Sequence, residues 1–231
     1  GMAELALAQS LSISEDKRVY TFRLHPSRWS DGSDMTADDF VFAWKSVLGH
    51  EIATPAAYAL FVLKNGKRAY QNECSVDDIG VRAIDPLTLE ITLEHPAPYF
   101  LDFLTLPVYS PVCKAAAEKN AAWAGDAFPG YVCNGPYLLK ERKLKSHIIC
   151  EKNPFYWNAD AAGAERLQFS IIEDPQTAYN MFAEGTLDWY GDTCGTMSLE
   201  MVYELNRKGQ LIKRESGGTH FLVCSTTAPH L

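Results

Sequence analysis

Leucine or isoleucine occupies every second position from 87 to 93, and threonine or glutamate fills the positions between them. Such an alternation predicts a half-buried strand, because successive side chains of a strand point to opposite faces. Residues 19–24 alternate in the same way and predict a second strand of this kind. Each of the two predicted strands therefore has one buried face and one face exposed to water.

A capped helix is predicted to begin after Thr36. Thr36 and Asp39 have the spacing of a capping box, in which the carboxylate reaches back to a free backbone amide and also favours the positive end of the helix dipole. Neighbouring residues of a helix do not face each other, so Asp38 and Asp39 are interpreted as cap and dipole residues and not as an acid–base pair. Apolar residues then recur at helical spacing and predict one buried stripe: Phe40, Ala43, Trp44 and Val47.

The other predicted elements mix helices and strands without a strict β-α-β alternation, which favours a mixed α/β (α+β) fold. Turn residues are concentrated between positions 129 and 136, and this favours a domain boundary there. Helices are predicted at 99–106, from Asp174-Pro175 to Gly185, and at 198–208 before Gly209; strands are predicted at 146–152, 167–172, 211–214 and 219–224.

Composition excludes several classes of protein. The 231 residues carry a net charge of −8, and no basic cluster with interleaved aromatic residues is present, so the sequence argues against nucleic-acid binding. With 47% hydrophobic and 22% charged residues, the chain has the composition of an ordinary globular protein. Its longest apolar stretch, 99–109, is too short to cross a bilayer and is interrupted by Asp102 and Pro107.

The cysteines and histidines favour no metal centre. The cysteines contain no Cys-x-x-Cys pair and are interpreted as buried free thiols, although their redox state is left open. The histidines show no metal-ligand spacing, so a metal site would need residues from distant positions. The six cysteines are Cys74, Cys113, Cys133, Cys150, Cys194 and Cys224.

No catalytic motif is present in the sequence. The chain lacks the nucleophile elbow, the phosphate loop and the dinucleotide fingerprint. His220 and Cys224 share a strand face but would lie about 13 Å apart at about 3.3 Å per residue, too far for proton transfer. A hydrolase or transferase would need an activated nucleophile that cannot be assembled from these residues, so we expect no enzyme.

A series of short segments resembles the family 5 extracytoplasmic solute-binding proteins, the oligopeptide- and dipeptide-binding subunits of ABC importers. Each segment is weak alone, but together they follow the family order over nearly the whole chain. The segments are WSDG (29–32), TADDFVFAW (36–44), AIDPLTLE (83–90), PYF (98–100), NGPY (134–137), NPFYWN (153–158), EGTLD (184–188) and GTHFL (218–222).

The resemblance implies part of a two-lobed clamshell that closes over a peptide. Residues 1–132 would form a small accessory α/β domain of the first lobe, and residues 133–231 a partial ligand-binding lobe that ends at the hinge crossing. The second lobe would be absent, so weak or no peptide binding is expected from this chain alone. Closure of the full-length parent would be the signal that the membrane permease reads.

The resemblance also implies candidate ligand-binding residues but no cofactor, no metal and no catalytic residue. Trp29, Trp44 and Trp157 are assigned to packing, since the accessory domain is not a ligand surface. Each candidate has an alternative as a core aromatic, a turn residue or a core histidine, and His220 departs from the tyrosine usual at its position. The candidates are Tyr58, Tyr190, Asp192, His220 and Phe221.

The implied location is periplasmic or extracytoplasmic, with a lipid anchor on the parent and no signal segment in this chain. Gly1 before Met2 is typical of a tag remnant, and we expect truncation at both ends. The alternative function is that of a shortened relative that acts as a protein-interaction module, with a dimer through the exposed lobe face. The ligand is left open, because peptide, haem, nickel-chelate and opine binders share the scaffold.

Overall fold

A computed structural model describes residues 4–120, 122–125, 130–191 and 197–213. The backbone divides into two units, residues 1–171 and residues 172–231. Sheets on both sides of residue 132 fall within the first unit, and the division into an accessory domain and a lobe at that residue stays a prediction.

The described strands all lie in the first unit. They are β1 (Ala8–Ile13), β2 (Val19–Leu24), β3 (Ser27–Arg28), β4 (Asp34–Met35), β5 (Val81–Asp85), β6 (Thr88–Thr92), β7 (Tyr137–Lys143), β8 (His147–Lys152) and β9 (Arg166–Ser170). The α-helices are α1 (Ala37–Leu48), α2 (Gly66–Tyr70), α3 (Phe100–Phe103), α4 (Lys114–Lys119), α5 (Pro175–Ala183) and α6 (Leu199–Arg207); 3₁₀ turns cover Ala57–Val62, Val76–Asp78, Pro107–Tyr109, Trp123–Gly125 and Ala159–Ala161.

The two alternating segments of the sequence form the centre of an antiparallel sheet with the order β1-β2-β6-β5. Phe22 lies opposite Leu89, and Tyr20 lies opposite Ile91. All four side chains are buried. The predictions of a strand at 19–24 and of a strand within 87–93 are therefore confirmed.

Helix α1 provides the apolar layer for this sheet. Its predicted stripe is confirmed, since Ala43, Trp44 and Val47 are buried and Phe40 packs at the edge of the same core. The Trp44 indole Nε1 donates a hydrogen bond to the Tyr109 carbonyl oxygen at 3.1 Å, so even the polar atom of this buried ring is satisfied.

The second sheet has the order β7-β8-β9 and is also antiparallel. A bend at Gly135 and Pro136 leads into β7. The fully buried Asn153 stabilises this bend, because its Nδ2 donates to the Gly135 carbonyl at 2.8 Å and its backbone amide donates to the Pro136 carbonyl at 2.9 Å. Ser30 and Cys133 tie the bend to the β3–β4 hairpin through two hydrogen bonds, of 2.8 and 3.1 Å.

The second unit contains the two helices predicted from their caps. The Asp174 carboxylate accepts a hydrogen bond from the Thr177 amide at 2.7 Å and begins α5, while the Ser198 hydroxyl accepts one from the Met201 amide and begins α6. Each helix is followed by a glycine at positive φ, Gly185 or Gly209, a conformation that suits glycine because it has no Cβ.

Several sequence predictions need correction. The helix predicted at 99–106 is limited to Phe100–Phe103, because Pro107 begins a separate 3₁₀ turn. The strand predicted at 167–172 is Arg166–Ser170. Leu211, Ile212 and Lys213 lie in no strand, and the rest of the two last predicted strands, 214 and 219–224, lies outside the described residues.

The tryptophan assignment is confirmed for Trp29 and Trp44, which are buried. Trp157 is 36% exposed and stacks on His25, with 5.7 Å between ring centroids. Cys74, Cys113, Cys133 and Cys150 are free thiols, but only Cys113 is buried and the other three are half-buried. Cys194 and Cys224 lie outside the described residues. Within the described part of the chain, no helix combines the length and apolar character needed to span a bilayer.

Candidate functional site

Tyr58 lies on the 3₁₀ turn Ala57–Val62 and exposes 68% of its surface. The turn itself is fixed, because Ala59 and Leu60 are buried in the core and the Tyr109 hydroxyl donates to the Ala59 carbonyl at 2.7 Å. An exposed aromatic ring on an anchored backbone can contact a ligand with little loss of conformational entropy.

Tyr190 belongs to the second unit and is already engaged. Its hydroxyl donates to the Pro175 carbonyl at 3.1 Å, and its ring lies 6.4 Å from the rings of both Tyr179 and Phe182. Burial, and then the charge of Asp174, raises the pKa of this phenol. Tyr190 thereby packs along α5, from its first residue, Pro175, to Phe182 in its last turn.

The other three candidates lie outside the described residues: Asp192, His220 and Phe221. Tyr58 and Tyr190 belong to different units, and each is described only within its own unit. The ligand-binding role of all five residues stays a prediction.

A cavity of about 760 Å³ lies within the first unit. Val47 of α1 contributes to one wall, and Val108 and Val112 contribute to another. Tyr137, Leu139 and Cys150 share one face of the second sheet, because Leu139 lies opposite Cys150 and Tyr137 is two residues along the same strand. Further lining residues are Trp29, Ala43, Ile52, Thr54, Pro107, Ser110, Pro111, Trp123, Ala124, Tyr131, Val132, Cys133, Asn134 and Gly135.

Three ionisable groups that line this cavity favour their neutral forms. Burial raises the pKa of the Cys133 thiol, and burial together with the neighbouring Cys133 raises the pKa of Cys150. Burial is also the main cause that raises the pKa of the Tyr131 phenol, with smaller contributions from the two thiols. These groups therefore remain uncharged at neutral pH.

A smaller cavity of about 300 Å³ adjoins the turn that carries Tyr58. It shares Val47, Ile52 and Thr54 with the larger cavity and reaches Ala57, the first residue of that turn. Of the residues in this region, the family resemblance pointed to Tyr58 alone. The larger cavity was not predicted from the sequence. The turn residues around 130–136 were the only local feature that pointed to this region.

Comparison with known proteins identifies the family. A family model described as bacterial extracellular solute-binding proteins, family 5 Middle, matches residues 3–231. The oligopeptide-binding protein OppA of Bacillus subtilis (strain 168) is 32% identical over 232 residues, which cover 100% of this chain and 43% of that protein.

Two solved structures share the fold. The substrate-binding domain of an oligopeptide ABC transporter from Bacillus anthracis superposes with a TM-score of 0.80 at 32% identity, over 87% of this chain and 38% of that one. The OppA of Listeria monocytogenes bound to peptide superposes with a TM-score of 0.76 at 28% identity, over 80% of this chain and 37% of that one. The chain thus spans about two fifths of the length of these proteins.

These matches confirm both the mixed α/β fold class and the family predicted from the sequence motifs. The family consists of solute-binding proteins and not of enzymes. With a family model that covers residues 3–231, the chain belongs to the family 5 bacterial extracellular solute-binding proteins.

Proposed function

We propose that this chain is part of an extracytoplasmic solute-binding protein that captures oligopeptides for an ABC importer. The observation that carries the proposal is the similarity of the entire chain to a protein named for oligopeptide binding. The likeness to an OppA bound to peptide supports the same ligand class.

Tyr58 is the candidate contact that the described structure supports best. Its ring is exposed, while its backbone is anchored through Ala59 and Tyr109. Aromatic side chains provide large contact area at low entropic cost, which suits a site that accepts peptides of varied sequence. Tyr190, Asp192, His220 and Phe221 complete the proposed ligand contacts.

Capture would proceed by closure of two lobes over the peptide in the full-length protein. A peptide held between two surfaces loses most of its contact with water, and the closed form would then be recognised by the membrane permease. The chain alone offers only part of that surface, so it binds peptides weakly or not at all. A lipid anchor on the parent would keep it at the outer face of the membrane.

Three thiols of the first unit are poorly suited to act as catalytic nucleophiles. Burial raises the pKa values of Cys113, Cys133 and Cys150, so little nucleophilic thiolate is present at neutral pH.

Titration calorimetry tests the proposal with a pool of tri- to pentapeptides. We expect micromolar or tighter affinity for the complete gene product and at least tenfold weaker binding by the 231-residue chain. Size-exclusion chromatography of both samples provides the control for association. If the complete gene product binds no peptide of the pool but forms a dimer, this would contradict peptide capture. It would support the alternative function, that of a protein-interaction module.

A further inference from the structure

We infer that the cavity of about 760 Å³ in the first unit is a binding site for an uncharged, largely apolar small molecule. The inference goes beyond peptide capture and does not depend on it. The cavity volume lies within the range of small-molecule sites, about 300–1,000 Å³.

The first observation concerns charge. Among the described residues that line the cavity, none is Asp, Glu, Lys, Arg or His. The ionisable groups there are tyrosines and cysteines, and burial favours the neutral forms of Tyr131, Cys133 and Cys150. A charged ligand would lose hydration in this cavity without gaining an ionic partner, so the lining selects against ions.

The second observation concerns the walls. Val47, Val108 and Leu139 come from three separate parts of the chain and present aliphatic surface to the same space. Trp123 and Tyr131 add an aromatic wall, with ring planes 19° apart and centroids separated by 5.9 Å. Apolar and aromatic lining of this kind favours burial of a hydrocarbon or an aromatic ring.

A small polar component would orient the ligand. Thr54, Ser110 and Asn134 are the aliphatic hydroxyl and amide side chains of the described lining. The Asn134 Nδ2 is directed at the Met35 sulfur, 3.3 Å away. A neutral ligand with one hydroxyl or amide group matches this set, whereas the two charged termini of an oligopeptide have no partner in it.

Two fluorescent probes with related aromatic skeletons test the inference. N-phenyl-1-naphthylamine is neutral, and 8-anilinonaphthalene-1-sulfonate carries a sulfonate. We expect saturable fluorescence enhancement with the neutral probe and at least tenfold weaker binding of the sulfonate. No saturable signal with the neutral probe, or equal affinity for both probes, would overturn the inference.

Substitutions locate the probe within the chain. Cys150→Asp introduces a carboxylate into the cavity and should weaken binding of the neutral probe at least tenfold, while Cys150→Val should retain it. Gln168→Asp adds the same charge at an exposed position of β9 outside the cavity and serves as the matched control. Wild-type affinity in a folded Cys150→Asp variant would contradict the assignment.

A second variant keeps the test decisive if Cys150→Asp does not fold. Ala124 is exposed and lines the cavity, so Ala124→Asp places a carboxylate there without burying it in a core. We expect a several-fold loss of affinity for the neutral probe, and an unchanged affinity would count against the site. Displacement of the probe by the peptide pool would show that the cavity belongs to the peptide site. This result would overturn the inference that the cavity is a separate binding site.

Discussion

The indole Nε1 of Trp29 donates a hydrogen bond to the Asp39 carboxylate at 3.2 Å, and both side chains are buried. The same carboxylate accepts hydrogen bonds from the Thr36 amide at 2.8 Å and from the Lys114 amide at 3.0 Å. One side chain therefore connects the segment after β3, the start of α1 and the start of α4. The spacing of Thr36 and Asp39 in the sequence predicts only the cap and dipole roles of this carboxylate.

Replacement of Asp39 by alanine should lower the free energy of unfolding by about 2–4 kcal/mol, because three donors lose their common acceptor in a buried setting. Urea unfolding followed by tryptophan fluorescence measures the change. Asp38→Ala is the matched control, since Asp38 is exposed and contributes through the helix dipole; its effect should stay under about 1 kcal/mol. Equal effects of the two substitutions would contradict the role assigned to Asp39.

Tyr109→Phe should cost about 1–2 kcal/mol at neutral pH, because the buried Ala59 carbonyl loses its 2.7 Å hydrogen bond. Burial, together with a smaller contribution from Tyr99, raises the pKa of Tyr109 well above the value of 10.0 expected for an unfolded chain.

The raised pKa of Tyr109 also predicts sensitivity to alkali. The folded state keeps this phenol neutral to a higher pH than the unfolded chain does, so its contribution to stability is complete below pH 10 and is lost as the pH rises above 10. One such group adds a slope of at most about 1.4 kcal/mol per pH unit. Unfolding measured between pH 9 and 11 should show a shallower loss for Tyr109→Phe than for the wild type. Tyr58→Phe removes a hydroxyl at an exposed position and serves as the matched control.

Gly80→Ala should destabilise the first unit by about 1–3 kcal/mol through overpacking. A Cβ at this position would clash with the Thr92 carbonyl oxygen and would lie 2.8 Å from the Lys64 Cβ, so the backbone has to shift. Gly163→Ala meets nothing within 4 Å and should leave stability within about 1 kcal/mol of the wild type. Thermal unfolding compares the Gly80→Ala and Gly163→Ala variants with the wild type. Similar midpoint temperatures for the two variants would contradict the crowding at Gly80.

The elements found from the sequence are those whose signals are local. The alternation of apolar and polar residues predicts β2 and β6, and the Thr36–Asp39 spacing predicts the start of α1. Each of these patterns lies within a few residues of the element that it predicts. β7 was missed, since its second half, Lys140–Glu141–Arg142–Lys143, is charged and hides the alternation. β1 was missed because it is a polar edge strand with little buried surface.

The candidate site is less predictable because its parts are far apart in sequence. Val47, Val108 and Cys150 line one cavity although about 100 residues separate the first from the last. The Trp29–Asp39 and Lys114–Asp39 hydrogen bonds likewise depend on tertiary packing. Family resemblance drew attention to Tyr58 but could not reveal that Tyr109 anchors its turn.

The proposed role of Tyr58 predicts a change in affinity without a change in stability. The ring is 68% exposed, so Tyr58→Ala should leave the free energy of unfolding within about 0.5 kcal/mol of the wild type. Loss of an aromatic contact should weaken peptide binding by the complete gene product about tenfold, equivalent to about 1.4 kcal/mol. Tyr99→Ala is the matched control, since Tyr99 is also an exposed tyrosine, is 52% exposed and lies outside the predicted contacts. Calorimetry with one peptide selected from the pool compares the three proteins. Equal affinity of the Tyr58 and Tyr99 variants would remove Tyr58 from the ligand site, whereas a loss confined to Tyr58→Ala would support its place there.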